Sequence, residues 1–140
     1  MVEARTARYR QIVAAKKNVI GSKIINPQGE DLGKIEDVIL DTEAGRIVYA
    51  ILSFGGFMGL GNKYFAVPWQ SLNFNQAESC GVLNADKRLL ENAPGFDKDE
   101  WPNLADPSWS NRVFTHYGYK PYGEEQTDAR ENQNVTQHRL

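Results

Sequence analysis

Near the middle of the chain, one run carries apolar residues on both parities. From Arg46 to Phe54, Ile47, Tyr49 and Ile51 alternate with Val48, Ala50, Leu52 and Phe54. A strand with one wet face would alternate apolar with polar, so this pattern predicts a strand covered on both sides. The run before it, Leu32 to Leu40, reads as a strand whose alternation slips once. Ile35 and Val38 are three positions apart, and one extra residue near Glu36-Asp37 restores the period, as a β-bulge does where a small barrel bends. Between the two strands, Asp41 to Gly45 predicts a turn with Gly45 as its left-handed residue. Upstream, Val19 to Ile25 predicts a first strand, closed by the turn residues Asn26-Pro27-Gln28-Gly29. Downstream, Lys63 to Val67 predicts a fourth strand stopping at Pro68, with a short helical turn at Trp69 to Leu72. Asn73 to Asn75 and Gly81 to Leu83 complete a set of about six strands as a last hairpin.

Beyond Asn84 the period changes. Asp86 is placed to cap a helical turn over Lys87 to Asn92, with Leu89 and Leu90 facing inward. Asp106-Pro107 is a stronger start signal, a capping carboxylate followed by proline at the first helical position. Trp109, Val113, His116 and Tyr117 then share one helical face, and Gly118 suits the residue just past the end. A helix over 107–117 is expected. Residues 91–123 hold Phe96, Trp101, Trp109, Phe114, Tyr117, Tyr119 and Tyr122, seven of the fifteen aromatics. Each removes ~150–250 Å² from water when buried, so this segment is expected to wrap the barrel and complete its core.

Length and charge add two constraints. A globule of 140 residues buries ~68% of its unfolded surface, whereas a barrel of half that length buries nearer ~60% and is marginal alone. The expected organisation is therefore a basic arm (1–17), a barrel (18–84), an aromatic-rich wrap (85–122) and a polar tail (123–140). The formal net charge of −2 is unevenly spread: residues 1–18 carry Arg5, Arg8, Arg10, Lys16 and Lys17 against Glu3, which is +4, leaving −6 for the rest. Such an arm suits an acidic partner, another copy or anionic lipid. Residues 3–17 are compatible with a short helix, through Tyr9, Ile12 and Val13, or with disorder. The tail is too polar to order itself. A single cysteine, Cys80, excludes an intrachain disulfide and suits a reducing compartment. No stretch has the length and apolarity of a signal h-region or a membrane span, so a cytoplasmic location is expected.

Candidate chemistry is sparse. Gly56 and Gly61 have the spacing of a phosphate loop, but Asn62 intervenes before Lys63, and a strand-like run follows where a helix is needed. The large apolar residues of that loop, Phe57, Met58 and Leu60, either fold back on the barrel mouth or face a partner. His116 and His138 lack ligand-type residues at helical spacing, and Asp41-Thr42-Glu43 lacks the later oxygens of a calcium loop. No nucleophile motif surrounds Cys80. Neighbouring carboxylates such as Glu36-Asp37 point to opposite faces of a strand and form no acid–base couple. Asp37 instead suits a structural role, capping backbone N–H groups at the bulge. No catalytic residue, metal or cofactor is therefore expected. Residues 19–90 hold six basic and eight acidic residues without aromatic–basic interleaving, so RNA contact is open only to the arm.

The run Gly29-Glu30-Asp31-Leu32-Gly33-Lys34-Ile35-Glu36-Asp37-Val38, continued by Asp41, Gly45-Arg46 and Val67-Pro68-Trp69, resembles the PRC-barrel domain family. Asn92 to Pro102 is similar to stand-alone bacterial members, and the resemblance covers about residues 18–122. It implies a mainly β fold, a small barrel of about six strands with short C-terminal helices wrapped around it. Gly29, Gly33, Asp37, Gly45, Pro68, Trp69, Trp101 and Trp109 are then structural. The family also includes the cytoplasmic part of the photosynthetic reaction-centre H subunit, whose membrane helix has no counterpart here, and a domain of a ribosome maturation factor. The implied function is a non-catalytic protein-interaction or assembly module. The expected partner is a protein, including a second copy, through Phe57, Met58, Leu60, Arg5, Arg8 and Arg10. A ribosome- or RNA-associated role is the alternative, and a small-ligand or photosynthetic-complex barrel a second.

Overall fold

In a computed structural model, residues 10–54, 63–75, 78 and 80–124 are described. Seven strands form one sheet: β1 (Lys23–Ile25), β2 (Asp31–Asp41), β3 (Arg46–Ser53), β4 (Lys63–Pro68), β5 (Leu72–Asn75), β6 (Cys80–Leu83) and β7 (Gly95–Asp97). Their order is β5-β6-β1-β2-β3-β4-β7, and every pairing is antiparallel except β1 with β6. β4 and β5 stand five strand spacings apart along this ladder, ~24 Å if it were flat. Only the turn Trp69–Ser71 separates them in the chain, and four Cα steps reach ~14 Å at most. The sheet must therefore curl until β5 comes beside β4, which makes it a small barrel.

Three irregularities in pairing accompany the curl. Ile35 pairs with Leu52 and Asp37 with Ile51, so Glu36 is the extra residue of a bulge, at the position where alternation slips in the sequence. Val48 is the extra residue between the pairs Ile39–Tyr49 and Leu40–Ile47. Leu32 is left over between Ile24–Gly33 and Ile25–Asp31. Each bulge bends its strand and raises the local twist, as closure of so few strands requires.

β3 separates two apolar clusters. Ala50 and Leu52 face the barrel interior with Ile24, Leu32, Ile35, Val67, Leu72 and Leu83. Tyr49 and Ile51 face outward, where Ala66, Phe96 and the helix residues Trp109, Val113 and Phe114 bury them. The short helix α1 (Lys87–Glu91) and the longer α2 (Pro107–His116) start on the two aspartates expected to cap them. Asp86 accepts from the Leu89 N–H at 2.8 Å and Asp106 from the Ser108 N–H at 3.0 Å. Leu90 of α1 enters the inner cluster, while α2 lies over the outer face of β3 and β4. Tyr117 packs against both clusters. Its hydroxyl is buried without a hydrogen-bond partner, and burial pushes its pKa well up.

Two expectations change. Val19 and Ile20 do not open the first strand: Ala15–Val19 is a single helical turn, closed by the Ile20 N–H on the Ala15 carbonyl at 2.9 Å. β1 consequently starts at Lys23. Among the described residues the strand count is seven rather than about six, because Gly95–Asp97, in the segment expected to wrap the barrel, pairs with the start of β4.

Candidate interaction surfaces

Of the residues singled out for partner contact, Phe57, Met58, Leu60, Arg5 and Arg8 lie outside the described residues. Arg10 is described and exposed, as are Lys16 and Lys17. The arm meets the barrel through Gln11, whose side-chain amide donates to the Phe74 carbonyl of β5 at 3.4 Å. Its helical turn is closed locally by the Asn18 side chain, which accepts from the Ala14 N–H at 3.0 Å. Between Gln11 and Ala14, Ile12 is 86% exposed and Val13 36%.

The residues expected to be structural divide. Gly29 and Gly45 have φ of 86° and 71°, turn geometry that glycine adopts without strain. Asp37 accepts from the Val38 N–H at 2.8 Å, just past the bulge at Glu36. Ser71 Oγ donates to the Pro68 carbonyl at 2.6 Å, and Trp69 stacks on Phe74 with centroids 5.4 Å apart. Trp109 is buried. Trp101, expected among the core aromatics, is instead 41% exposed.

Trp101 belongs to an aromatic group at the β4–β7 end of the sheet. Tyr64 of β4 pairs in register with Phe96 of β7, and their rings meet edge to face at 6.1 Å. Trp101 closes the triangle at 6.0 Å from Tyr64 and 5.1 Å from Phe96. Its indole N–H donates to the Lys98 carbonyl at 2.8 Å, which anchors the ring while leaving part of it in water. Carboxylates lie near Tyr64. Loss of solvation raises the Tyr64 pKa, and Glu36, Asp99 and Asp37 raise it further by opposing a phenolate. Asp97 meets Lys63 at 3.6 Å, an exposed ion pair of little energetic weight. Sequence reasoning missed this surface, although the acidic run Asp97 to Glu100 directly before Trp101 is unusual company for a core aromatic.

An open cleft of about 800 Å³ lies between the β1–β2 turn and α1. Glu30, Asp86, Arg88 and His116 line it. His116 Nε2 lies 2.7 Å from the Leu89 carbonyl and must donate there, so that nitrogen serves to dock α2 on α1. Behind the cleft, Asn26 is fully buried and satisfied. It donates to Glu30 and the Ala85 carbonyl and accepts from the Gln28 and Glu30 N–H groups. These polar groups tie the turn to the chain beyond β6. Among the described residues, no group of three or more His, Cys, Asp or Glu side chains is arranged to hold a metal, and no helix is long and apolar enough to cross a membrane.

The far end of the wrap is held by Tyr122, whose hydroxyl donates to Asp41 at 2.5 Å while Arg46 sits 5.7 Å from the ring centroid. The Tyr122 hydrogen bond is the main reason the Asp41 pKa is held down; the Ala44 N–H comes next, and the Glu43 N–H and Arg46 assist, while loss of solvation opposes them. A depressed carboxylate contributes stability that is present above its unfolded pKa and is lost as pH falls through the folded value. Tyr122→Phe is therefore expected to move the Asp41 pKa up toward an ordinary aspartate and to start acid unfolding at higher pH. Carboxyl-carbon NMR titration of both forms measures this, and an unmoved Asp41 would show that the contact contributes nothing in solution.

No curated protein matches the chain. The family model for the PRC-barrel domain matches residues 13–90, which takes in the root of the arm, β1 to β6 and most of α1. That match spans more than half of the 140 residues, and with the curled sheet it shows that the chain belongs to the PRC-barrel domain family.

Proposed function

We propose that this chain is a non-catalytic protein-binding module that associates with a second copy of itself. Membership of the PRC-barrel family supports the general part of this reading, since the domain suggests a protein-interaction module. The observation that carries the self-association is Ile12, 86% exposed on an arm whose neighbours Arg10, Lys16 and Lys17 are exposed as well. A large aliphatic side chain left in water forfeits ~1.5–3 kcal/mol relative to burial, and a second copy is one source of that cover. The loop residues Phe57, Met58 and Leu60 add a second apolar group by sequence.

Light scattering across a concentration series tests the reading. The intact chain is expected at twice its monomer mass. The double variant Met58→Asp/Leu60→Asp and the single variant Ile12→Asp are each expected to shift toward the monomer with their folding unchanged. A monomeric intact chain at every concentration ends the proposal.

A further inference from the structure

Resting on that self-association, we infer that the Tyr64–Trp101 surface is the receptor for the basic, apolar arm of the second copy. The two surfaces match in both of their chemistries. The arm offers Arg10, Lys16 and Lys17, with Ile12 and Val13 between them, all in water. The receptor offers a part-exposed indole and phenol with Glu36, Asp37 and Asp99 near enough to oppose charge on Tyr64. Lys34 shares the cross-strand row of Tyr64 through Ser53, whereas Lys63 and Asp97 pair on the opposite face of β4 and β7. The carboxylates that act on Tyr64 therefore outnumber the lysine in its row. An Arg guanidinium favours the face of a Trp or Tyr ring, and flanking carboxylates add attraction and orientation.

The geometry also says whose arm it is. Within one chain the arm is held at β5 through Gln11, where Ile12 stays 86% exposed while Trp101 remains 41% exposed. The described arm therefore leaves its own receptor uncovered. Two copies exchanging arms bury both sets at once, through a self-complementary contact in which arm meets receptor twice.

Trp101→Ala and Asp99→Lys on the receptor, and Arg10→Glu and Ile12→Asp on the arm, lie at exposed positions; unchanged circular dichroism and a retained cooperative melt check their folding, with the Trp101→Ala melt expected a few degrees lower. Each is expected to weaken the dimer by about 10-fold, and raising salt from ~50 to ~500 mM is expected to weaken the intact dimer as well. Mixing an arm variant with a receptor variant is expected to recover part of the association, because the mixed pair keeps one intact arm–receptor contact. A dimer indifferent to all four substitutions overturns the receptor while leaving self-association standing. A dimer weakened by each substitution but never rescued by mixing overturns the pairing. An intact chain that is monomeric at every concentration removes the underlying reading and this inference together.

Discussion

Gly33→Ala is expected to cost ~2–5 kcal/mol, the sum of a left-handed backbone penalty and overpacking against a neighbouring strand. Gly33 has φ of 112°, and a Cβ there would be driven into the Ser53 carbonyl of β3, with the Phe54 Cα only 3.3 Å away. Both are backbone atoms at the end of β3, so they cannot rotate aside as a side chain would. Gly45→Ala supplies the comparison. Gly45 has φ of 71° but nothing within 4 Å of an added Cβ, so only the backbone penalty of ~1–2 kcal/mol applies. A domain of this size has ~5–15 kcal/mol in all, so Gly33→Ala removes a large fraction of it and Gly45→Ala a small one. Urea unfolding of the two variants beside the parent measures the difference. Equal costs would show that β2 and β3 do not approach each other at Gly33 as closely as the structure places them.

Much of the barrel was legible because its constraints are local. Period two breaks between Ile35 and Val38, and the sheet has its bulge there, at Glu36. Apolar residues on both parities of β3 predict two covered faces, and two clusters meet across that strand. Asp86 and Asp106 carry their capping function in residue type and spacing alone. What escaped the sequence depends on distant partners. β7 is three residues long, follows Pro94, and is a strand only because Lys63 to Phe65 present a β4 edge to it. Asn26 reads as a turn residue, and its burial follows from Ala85, 59 positions away, supplying a carbonyl. Val19 has the composition of a strand, yet it ends a helical turn that Asn18 helps to close. For Trp101, an aromatic count cannot say which ring edge stays wet; that is set by where the Lys98 carbonyl holds its N–H.

Trp109 and Trp101 are eight positions apart, and their replacement by alanine is expected to separate stability from association. Trp109 is 6% exposed and joins three elements: on α2 itself, it lies 5.5 Å from Tyr49 of β3 and 6.1 Å from Phe96 of β7. Removing a buried Trp costs ~3–5 kcal/mol in transfer and cavity terms, so Trp109→Ala should rank with Gly33→Ala in severity. The damage should also have a direction. Among the described residues β7 pairs with β4 alone, and its buried side chain, Phe96, is covered by Tyr64, Trp109 and Trp101. Amide exchange in Gly95–Asp97 should therefore accelerate more than in β1 or β6, whose side chains pack into the inner cluster. Trp101→Ala gives up a half-wet ring and one hydrogen bond to a carbonyl, a loss of ~1 kcal/mol. Its main effect should fall on association with the second copy. If urea unfolding finds the two variants equally destabilised, Trp101 is a core residue after all, and its exposed edge is no sign of a partner. If only Trp109→Ala is severe, the outer layer is built on one indole while the other is left free for binding.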